Sequence, residues 1–163
     1  MKPVDSTAEI LALKVLNRNI NDQWVNWAVE MLIIGFDTEN LAILAGESEP
    51  YNQFELQRLT DKILNELSLS IEDKDQIIKN YVCYLIDQTL KGEVQSLQTL
   101  RIIKNICIEL NYEGYLYDFY SLYFAKEDLL YSDIQSYWDY ADKENIDTVI
   151  HDYFVKWKSN CKK

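Results

Sequence analysis

The sequence predicts an all-α protein, and three observations support this fold class. Apolar residues recur every three or four positions along most of the chain, which is the period of a helix with one buried face. Capping residues precede several of these stretches, and glycines follow them. Only four glycines and two prolines occur in 163 residues, too few for the turns of a β-sandwich or barrel. We therefore expect a compact multi-helix bundle of about eight or nine helices, built from antiparallel helix hairpins.

Capping residues and glycines mark where the helices of the first half begin and end. Ser6 with Glu9, and Asn52 with Glu55, have the spacing of a capping box, in which two side chains satisfy free backbone N–H groups. Gly35 can take the left-handed conformation that ends a helix. Similar signals are starts at Asp37 or Thr38 and at Ser70, and ends at Gly46 and Gly92. The predicted helices of this half cover residues 6–16, 21–34, 38–45, 53–67 and 70–91.

Periodicity alone predicts the helices of the second half. Apolar residues with helical spacing run from Val94 to Leu110 and predict one long helix. Three further helices are predicted at residues 115–124, 133–141 and 146–158. Because the length of the chain fits one hydrophobic core, we expect residues 1–163 to form a single helical domain.

Two tryptophans and three cysteines are predicted to have structural roles. Trp24 and Trp27 lie three positions apart on one helix face, which is typical of a core rather than of a ligand-stacking site. Cys83 and Cys107 fall in apolar stretches and are expected to be buried thiols, whereas Cys161 lies in a polar tail. The chain opens without an apolar signal segment and lacks an apolar run of the ~20 residues that a membrane helix needs. We therefore expect a cytoplasmic protein.

The charge of the chain is negative and unevenly placed. The net charge is −11, and residues 110–155 carry ten acidic and two basic side chains, a net charge of −8. Binding to nucleic acid or to an anionic membrane needs clustered lysines and arginines, so both are disfavoured. The sequence instead predicts a basic protein partner.

No residue pattern indicates catalysis, a metal site or a cofactor. His151 is the only histidine, and Asp147 lies one helical turn before it, so the two can meet as a base and its orienting carboxylate. No nucleophile accompanies them at a recognisable spacing, and an ordinary surface pair is the favoured interpretation. Zinc and calcium motifs are absent from the sequence, and four isolated glycines cannot form a phosphate-binding loop. We therefore predict a protein that is not an enzyme.

Aromatic residues are concentrated between Tyr112 and Tyr140. Eight of the twelve tyrosines fall in this stretch, interleaved with carboxylates, and one helix face cannot bury all of these rings. The inward stripe is expected to contain Tyr115, Phe119, Leu122 and Tyr123.

Tyr117 and Tyr120 then lie outside that stripe, next to Asp118. Exposed tyrosines beside carboxylates are typical of protein-binding hot spots, because the rigid ring supplies contact area and the hydroxyl supplies a hydrogen bond. The alternative is an aromatic-rich core that extends to the surface, with the acids keeping that surface soluble. We predict Tyr117, Asp118, Tyr120 and Asp139 as partner-binding residues.

The chain also resembles two groups of bacterial proteins. Residues 27–38 and 41–46 resemble segments of small uncharacterised bacterial all-helical proteins. The acidic, tyrosine-bearing helical character resembles immunity proteins, which bind and neutralise a toxin made by the same cell. This resemblance implies a non-enzymatic immunity or antitoxin-type protein whose C-terminal third binds a basic partner, such as a toxin. The alternatives are a helical adaptor or scaffold, and a ligand-binding helical bundle with an aromatic-lined pocket.

Overall fold

The chain is all-helical in residues 1–162, the part that the structure, a computed structural model, describes. These residues contain eight α-helices and one short 3-10 helix, and none of them lies in a strand. The predicted all-α class is therefore confirmed. In chain order the helices are α1 (Thr7–Val15), α2 (Asp22–Ile33), α3 (Glu39–Ala45), α4 (Gln53–Glu66), α5 (Lys74–Leu90), α6 (Ser96–Glu109), the 3-10 helix (Gly114–Leu116), α7 (Tyr117–Tyr131) and α8 (Ile146–Ser159).

The chain divides into two compact units, Met1–Tyr84 and a second that begins at Leu85, so the division falls within α5. In the first unit, α1 contacts α2, α2 contacts α3, and α3 contacts α4. In the second unit, α7 contacts both α6 and α8. Contacts between successive helices are those expected of helix hairpins. That residues 1–163 form a single domain stays a prediction.

Two tryptophans of α2 lie in the core of the first unit, as predicted. Trp24 and Trp27 are fully buried, and their rings meet edge to face with centroids 5.9 Å apart. Trp27 Nε1 donates a hydrogen bond to Thr7 Oγ1 of α1 at 2.9 Å. A buried N–H group without an acceptor destabilises the folded state, so the hydroxyl of Thr7 stabilises the core by accepting this bond.

Several helix ends form as predicted. Asn52 Oδ1 accepts a hydrogen bond from the backbone N–H of Glu55 at 3.3 Å, and Thr38 Oγ1 accepts one from the first turn of α3 at 3.2 Å. Gly35 and Gly92 follow α2 and α5 with φ angles of 102° and 81°, the left-handed region that glycine adopts without strain. These caps and stops depend only on neighbouring residues, which is why the sequence predicts them.

The predicted capping box at the start of α1 is wrong, because Ser6 has helical backbone angles and the N–H of Glu9 donates to the carbonyl of Ser6 rather than to its hydroxyl. Ser6 Oγ donates to Glu30 Oε2 at 3.0 Å, and Glu9 Oε1 accepts from Gln23 Nε2 at 2.8 Å. Both side chains thus connect the start of α1 to α2 instead of capping α1.

The predicted helix start at Ser70 is also wrong. Ser70 Oγ accepts the N–H of Glu72 at 3.2 Å, which forms a local turn, and α5 begins later, at Lys74. Asp73 Oδ1 caps the helix by accepting the N–H of Gln76 at 3.0 Å. Short polar side chains that bind nearby N–H groups compete with the helix ladder in this way.

The predicted helix at residues 133–141 is wrong as well. Residues 132–145 form a loop between α7 and α8. Within it, Gln135 Oε1 accepts the backbone N–H groups of Tyr137 and Trp138, both at 2.8 Å. Those N–H groups are then no longer available for the backbone carbonyls of a helix, so the side chain of Gln135 decides the path of the chain.

One of the two predicted buried thiols is confirmed, and the other is not. Cys107 is a buried free thiol, as predicted. Cys83 is disulfide-bonded, as is Cys161, so the predicted thiol at Cys83 is wrong. The expected cytoplasmic location rested partly on those thiols, and it stays a prediction. Among the described residues, no helix combines the length and the apolar character needed to cross a membrane.

Candidate protein-binding surface

Two consecutive left-handed residues turn the chain out of α6 towards α7. Asn111 and Tyr112 have φ angles of 57° and 60°, and the N–H of Tyr112 donates to the carbonyl of Cys107 at 2.7 Å. This hydrogen bond closes the end of α6 in the way that left-handed caps do. A tyrosine rarely adopts this backbone conformation, so its position depends on the contacts around it.

Phe119 packs the buried face of α7 against α8. Its ring centroid lies 5.2 Å from that of Tyr153, 6.1 Å from that of Phe154 and 4.9 Å from that of Trp157. The predicted inward stripe is confirmed by its three buried members, Phe119, Leu122 and Tyr123, and by its half-buried member, Tyr115.

A second set of rings forms a continuous row, which we call the outer ring chain: Tyr112, Tyr117, Tyr120, Phe124 and Tyr137. Tyr120 is central, since it stacks on Tyr117 with centroids 5.3 Å and planes 21° apart. It also meets Tyr112 edge to face at 5.6 Å and Phe124 at 4.8 Å. Phe124 in turn stacks on Tyr137 of the 132–145 loop at 5.4 Å. These distances are typical of attractive aromatic pairs.

The outer ring chain is only partly covered. Tyr112, Tyr117 and Tyr137 are 50%, 47% and 43% exposed, whereas Tyr120 and Phe124 are half-buried. Tyr117 therefore lies outside the core, as the sequence predicts, and Tyr120 supports it from beneath. Rings that are held by stacking and remain exposed lose little conformational freedom when a partner binds.

A lysine of α6 lies on the same aromatic system. Lys104 Nζ is 4.5 Å from the ring centroid of Tyr123 and 5.9 Å from that of Phe124. A cation at this distance over a ring face is attracted by the negative face of the ring quadrupole. The rings of α7 thus already bind one cation within the protein.

Asp118 links α7 to α8 while remaining exposed. Its Oδ2 accepts a hydrogen bond from the hydroxyl of Tyr153 at 3.0 Å. Burial, followed by the negative charge of Asp118, raises the pKa of Tyr153 above its ordinary value. Asp118 therefore has a structural bond as well as a surface charge.

Asp139 is exposed and lies in the 132–145 loop, whose backbone is hydrogen-bonded by the side chain of Gln135. Gln135 Nε2 donates to two carbonyls of this loop, in addition to the two N–H groups that Oε1 accepts. The ring of Trp138 packs on Tyr153 with centroids 5.6 Å apart. The loop that contains Asp139 is thus held by the hydrogen bonds of Gln135 and by the packing of Trp138 on α8.

Contacts within the second unit involve three of the four predicted residues, and Asp139 is linked to them only through its sequence neighbour Trp138. Tyr117 stacks on Tyr120, and Tyr153 connects Asp118 to Trp138, the sequence neighbour of Asp139. The same loop carries Tyr137 into the outer ring chain. Whether these residues bind a partner stays a prediction.

Sequence reasoning did not single out Phe124, Tyr137 and Gln135. The aromatic composition included both rings, but their stacking joins positions 13 apart and depends on the path of the loop. Gln135 carries no sequence signal, because a lone glutamine in an aromatic stretch looks like any solvent-facing polar residue.

Both basic residues of the acidic segment 110–155 form ion pairs. Lys126 Nζ lies 2.8 Å from Asp147 Oδ1, and Lys143 Nζ lies 2.7 Å from Asp133 Oδ1. Asp118 and Asp139 are not the partners in these pairs, so their charges remain part of the negative charge of the segment.

The remaining catalytic candidate has an ordinary environment. The carboxylate of Asp147 accepts from Lys126, and His151 is exposed on α8. Within residues 1–162, no three or more His, Cys, Asp or Glu side chains are grouped so that they could hold a metal ion.

Two cavities in the first unit bear on the ligand-binding alternative. One, of about 420 Å³ at the end of α4, is lined by Asp61, Leu64, Asn65, Ser68, Leu69, Ser70, Ile71 and Glu72. Another, of about 360 Å³ beside α3 and α4, has Phe54 as its aromatic lining residue. Neither has the aromatic-rich lining which that alternative predicts.

Comparison with models of protein families, with curated proteins and with solved structures found no match to this chain. The resemblance to immunity proteins therefore stays a prediction. What the protein binds has to be inferred from its own side chains.

Proposed function

We propose that this chain is a non-enzymatic protein-binding protein of immunity or antitoxin type. Its acidic, tyrosine-rich C-terminal third binds a basic protein, such as a toxin, and blocks it by covering its surface. The outer ring chain carries this proposal, because three of its five rings are between 43% and 50% exposed while stacking holds them in place. Tyrosines of this kind are the anchors of protein interfaces.

The charge of the same segment selects the partner. Residues 110–155 have a net charge of −8, and Asp118 and Asp139 are exposed carboxylates of this segment. Carboxylates around an interface accelerate the approach of a positively charged protein, and the rings then set how slowly the complex dissociates. The two features together favour a basic protein over an uncharged ligand.

Site-directed photo-crosslinking in the cells that naturally produce the protein tests this proposal. p-Benzoylphenylalanine is placed at position 117, in the outer ring chain, and, as a matched control, at position 54. Phe54 is an exposed aromatic residue at the start of α4, 73% exposed and in the other unit. We expect position 117 to capture a basic protein that position 54 does not capture.

The captured protein is then purified, and its binding to the wild type is compared with its binding to Tyr117→Ala. Removing a hot-spot ring typically costs about 2 kcal/mol or more of binding free energy, which corresponds to roughly thirtyfold weaker binding. An acidic partner, the same products from both positions, or an unchanged affinity of Tyr117→Ala would each contradict the proposal.

A further inference from the structure

The stacked pair Tyr117 and Tyr120 leaves a tyrosine surface open to a ligand. Tyr120 covers one side of the Tyr117 ring, since the two planes are only 21° apart. Tyr117 is nevertheless 47% exposed, so a large part of this residue remains accessible to a ligand. Further along α7, the ring face of Tyr123 is covered by Lys104 of α6. A cation on a ring of α7 is therefore an arrangement that this protein already contains.

We infer that the open face of the Tyr117–Tyr120 stack binds an arginine side chain of the basic partner. This inference rests on the proposed function and names the chemical group that the surface recognises. The guanidinium lies flat on the ring of Tyr117, and its N–H groups point outwards along the ring plane, where they can donate to carboxylates of the acidic segment 110–155.

Two observations favour arginine over an apolar side chain. Asp118, which follows Tyr117 in sequence, is acidic and exposed, and residues 110–155 as a whole have a net charge of −8. In addition, the two basic side chains of residues 110–155 already pair elsewhere, with Asp147 and Asp133. A cation from the partner therefore meets an electron-rich ring face in a negatively charged segment, whereas an apolar group gains nothing from that charge.

The planar shape of the guanidinium favours arginine over lysine. A guanidinium can stack on a ring and donate hydrogen bonds to a carboxylate at the same time. The lysine ammonium is a compact, strongly hydrated point charge, so it gives up more water to approach the ring and cannot stack.

The test uses three synthetic peptides that differ at one position, acetyl-Gly-Gly-X-Gly-Gly-amide with X as arginine, lysine or citrulline. Citrulline keeps the planar shape of arginine without its charge. Binding to the full chain is followed by NMR of selectively labelled tyrosine rings, with resonances assigned from Tyr→Phe variants. We expect the arginine peptide to shift the signals of Tyr117 and Tyr120, and to bind about two- to fivefold more tightly than the citrulline peptide.

Two leucine substitutions separate the stack from other exposed tyrosines. Tyr117→Leu keeps apolar bulk but removes the aromatic face, and it should abolish the preference for arginine over citrulline. Tyr131→Leu is the matched control, because Tyr131 also lies on α7 and is 87% exposed, outside the outer ring chain. It should leave the preference intact, and unchanged backbone amide spectra would show that both variants fold.

Three outcomes overturn the inference: equal binding of the arginine and citrulline peptides, equal binding of the lysine and arginine peptides, or an arginine preference that survives Tyr117→Leu. These results do not touch the proposed function, since crosslinking at position 117 can still identify a basic partner that uses other groups. Conversely, if the peptides show an arginine preference but crosslinking captures no basic partner, the cation-binding inference is supported and the proposed protein-binding role is refuted.

Discussion

Gln135 is expected to determine the order of the 132–145 loop, and Gln135→Ala tests this directly. The side chain accepts hydrogen bonds from the N–H groups of Tyr137 and Trp138, and it donates to the carbonyls of Trp138 and Ala141. Truncation to alanine removes all four bonds at once. The loop then loses the bonds that hold Tyr137 and Trp138 in position on their ring partners.

The magnitude follows from the number of bonds and their exposure. A typical intramolecular hydrogen bond contributes about 0.5–1.5 kcal/mol net of solvation. Gln135 is half-buried, so water replaces part of what the four bonds contribute. We therefore expect Gln135→Ala to lower the free energy of local opening of the loop by about 1–3 kcal/mol.

Native-state hydrogen exchange at single amides is the suitable assay, because it reports local opening independently of global unfolding. The amides of Tyr137 and Trp138 should exchange about 5- to 150-fold faster in Gln135→Ala than in the wild type. Gln98→Ala is the matched control, since Gln98 is exposed on α6 of the same unit. Its effect should stay within about 0.5 kcal/mol, as is usual for exposed substitutions.

Unchanged exchange at Tyr137 and Trp138 in Gln135→Ala would refute this reasoning. Packing of the two rings on Phe124 and Tyr153 would then be sufficient to order the loop. Faster exchange across the whole second unit would also count against it, because the effect would no longer be local to the loop.

Three further predictions concern charge, the core and pH. Asp139→Lys should slow association with the basic partner without affecting dissociation much, and stopped-flow rates should show this slowing shrink as salt rises; a salt-independent effect would exclude steering. Thr7→Val leaves the buried Nε1 of Trp27 without its acceptor, so urea denaturation should show a loss of about 1–3 kcal/mol, and no loss would mean that another acceptor replaces the hydroxyl. Hydrogen bonding to Lys158 lowers the pKa of Asp87, so the ionised carboxylate stabilises the fold above its ordinary pKa, and this contribution is lost as pH falls through the lowered value. The melting temperature of Asp87→Asn should therefore fall less than that of the wild type over this acidic range. Equal falls in the two melting temperatures would contradict the assignment.

Local sequence signals predicted the features that neighbouring residues control. Thr38 and Asn52 cap their helices, and the left-handed glycines Gly35 and Gly92 follow theirs, because each depends on a few residues of the same turn. The spacing of apolar residues also predicted the burial of Trp24, since the buried face of a helix repeats with the helix period.

Where a side chain had two competing partners, the sequence did not predict which one it binds. Glu9 has the spacing to accept a backbone N–H group at the start of α1, but its carboxylate accepts from the side chain of Gln23 on α2 instead. Gln135 could have continued a helix, but its amide satisfies four backbone groups of the loop instead. Such choices depend on groups that only the folded chain brings within reach.

The features of the candidate surface likewise fall into those that the sequence predicts and those that depend on tertiary contacts. Composition by itself determined that residues 110–155 are acidic and hold more tyrosines than one helix face can bury, and it pointed to Tyr117 as an outward ring. Only the tertiary structure decided that Tyr120 is half-buried beneath that ring, that Asp118 is bound by Tyr153, and that Tyr137 joins the outer ring chain. The physical reason is that charge and periodicity are properties of the chain itself, whereas stacking and hydrogen bonding between α7, α8 and their connecting loop exist only after these segments pack together.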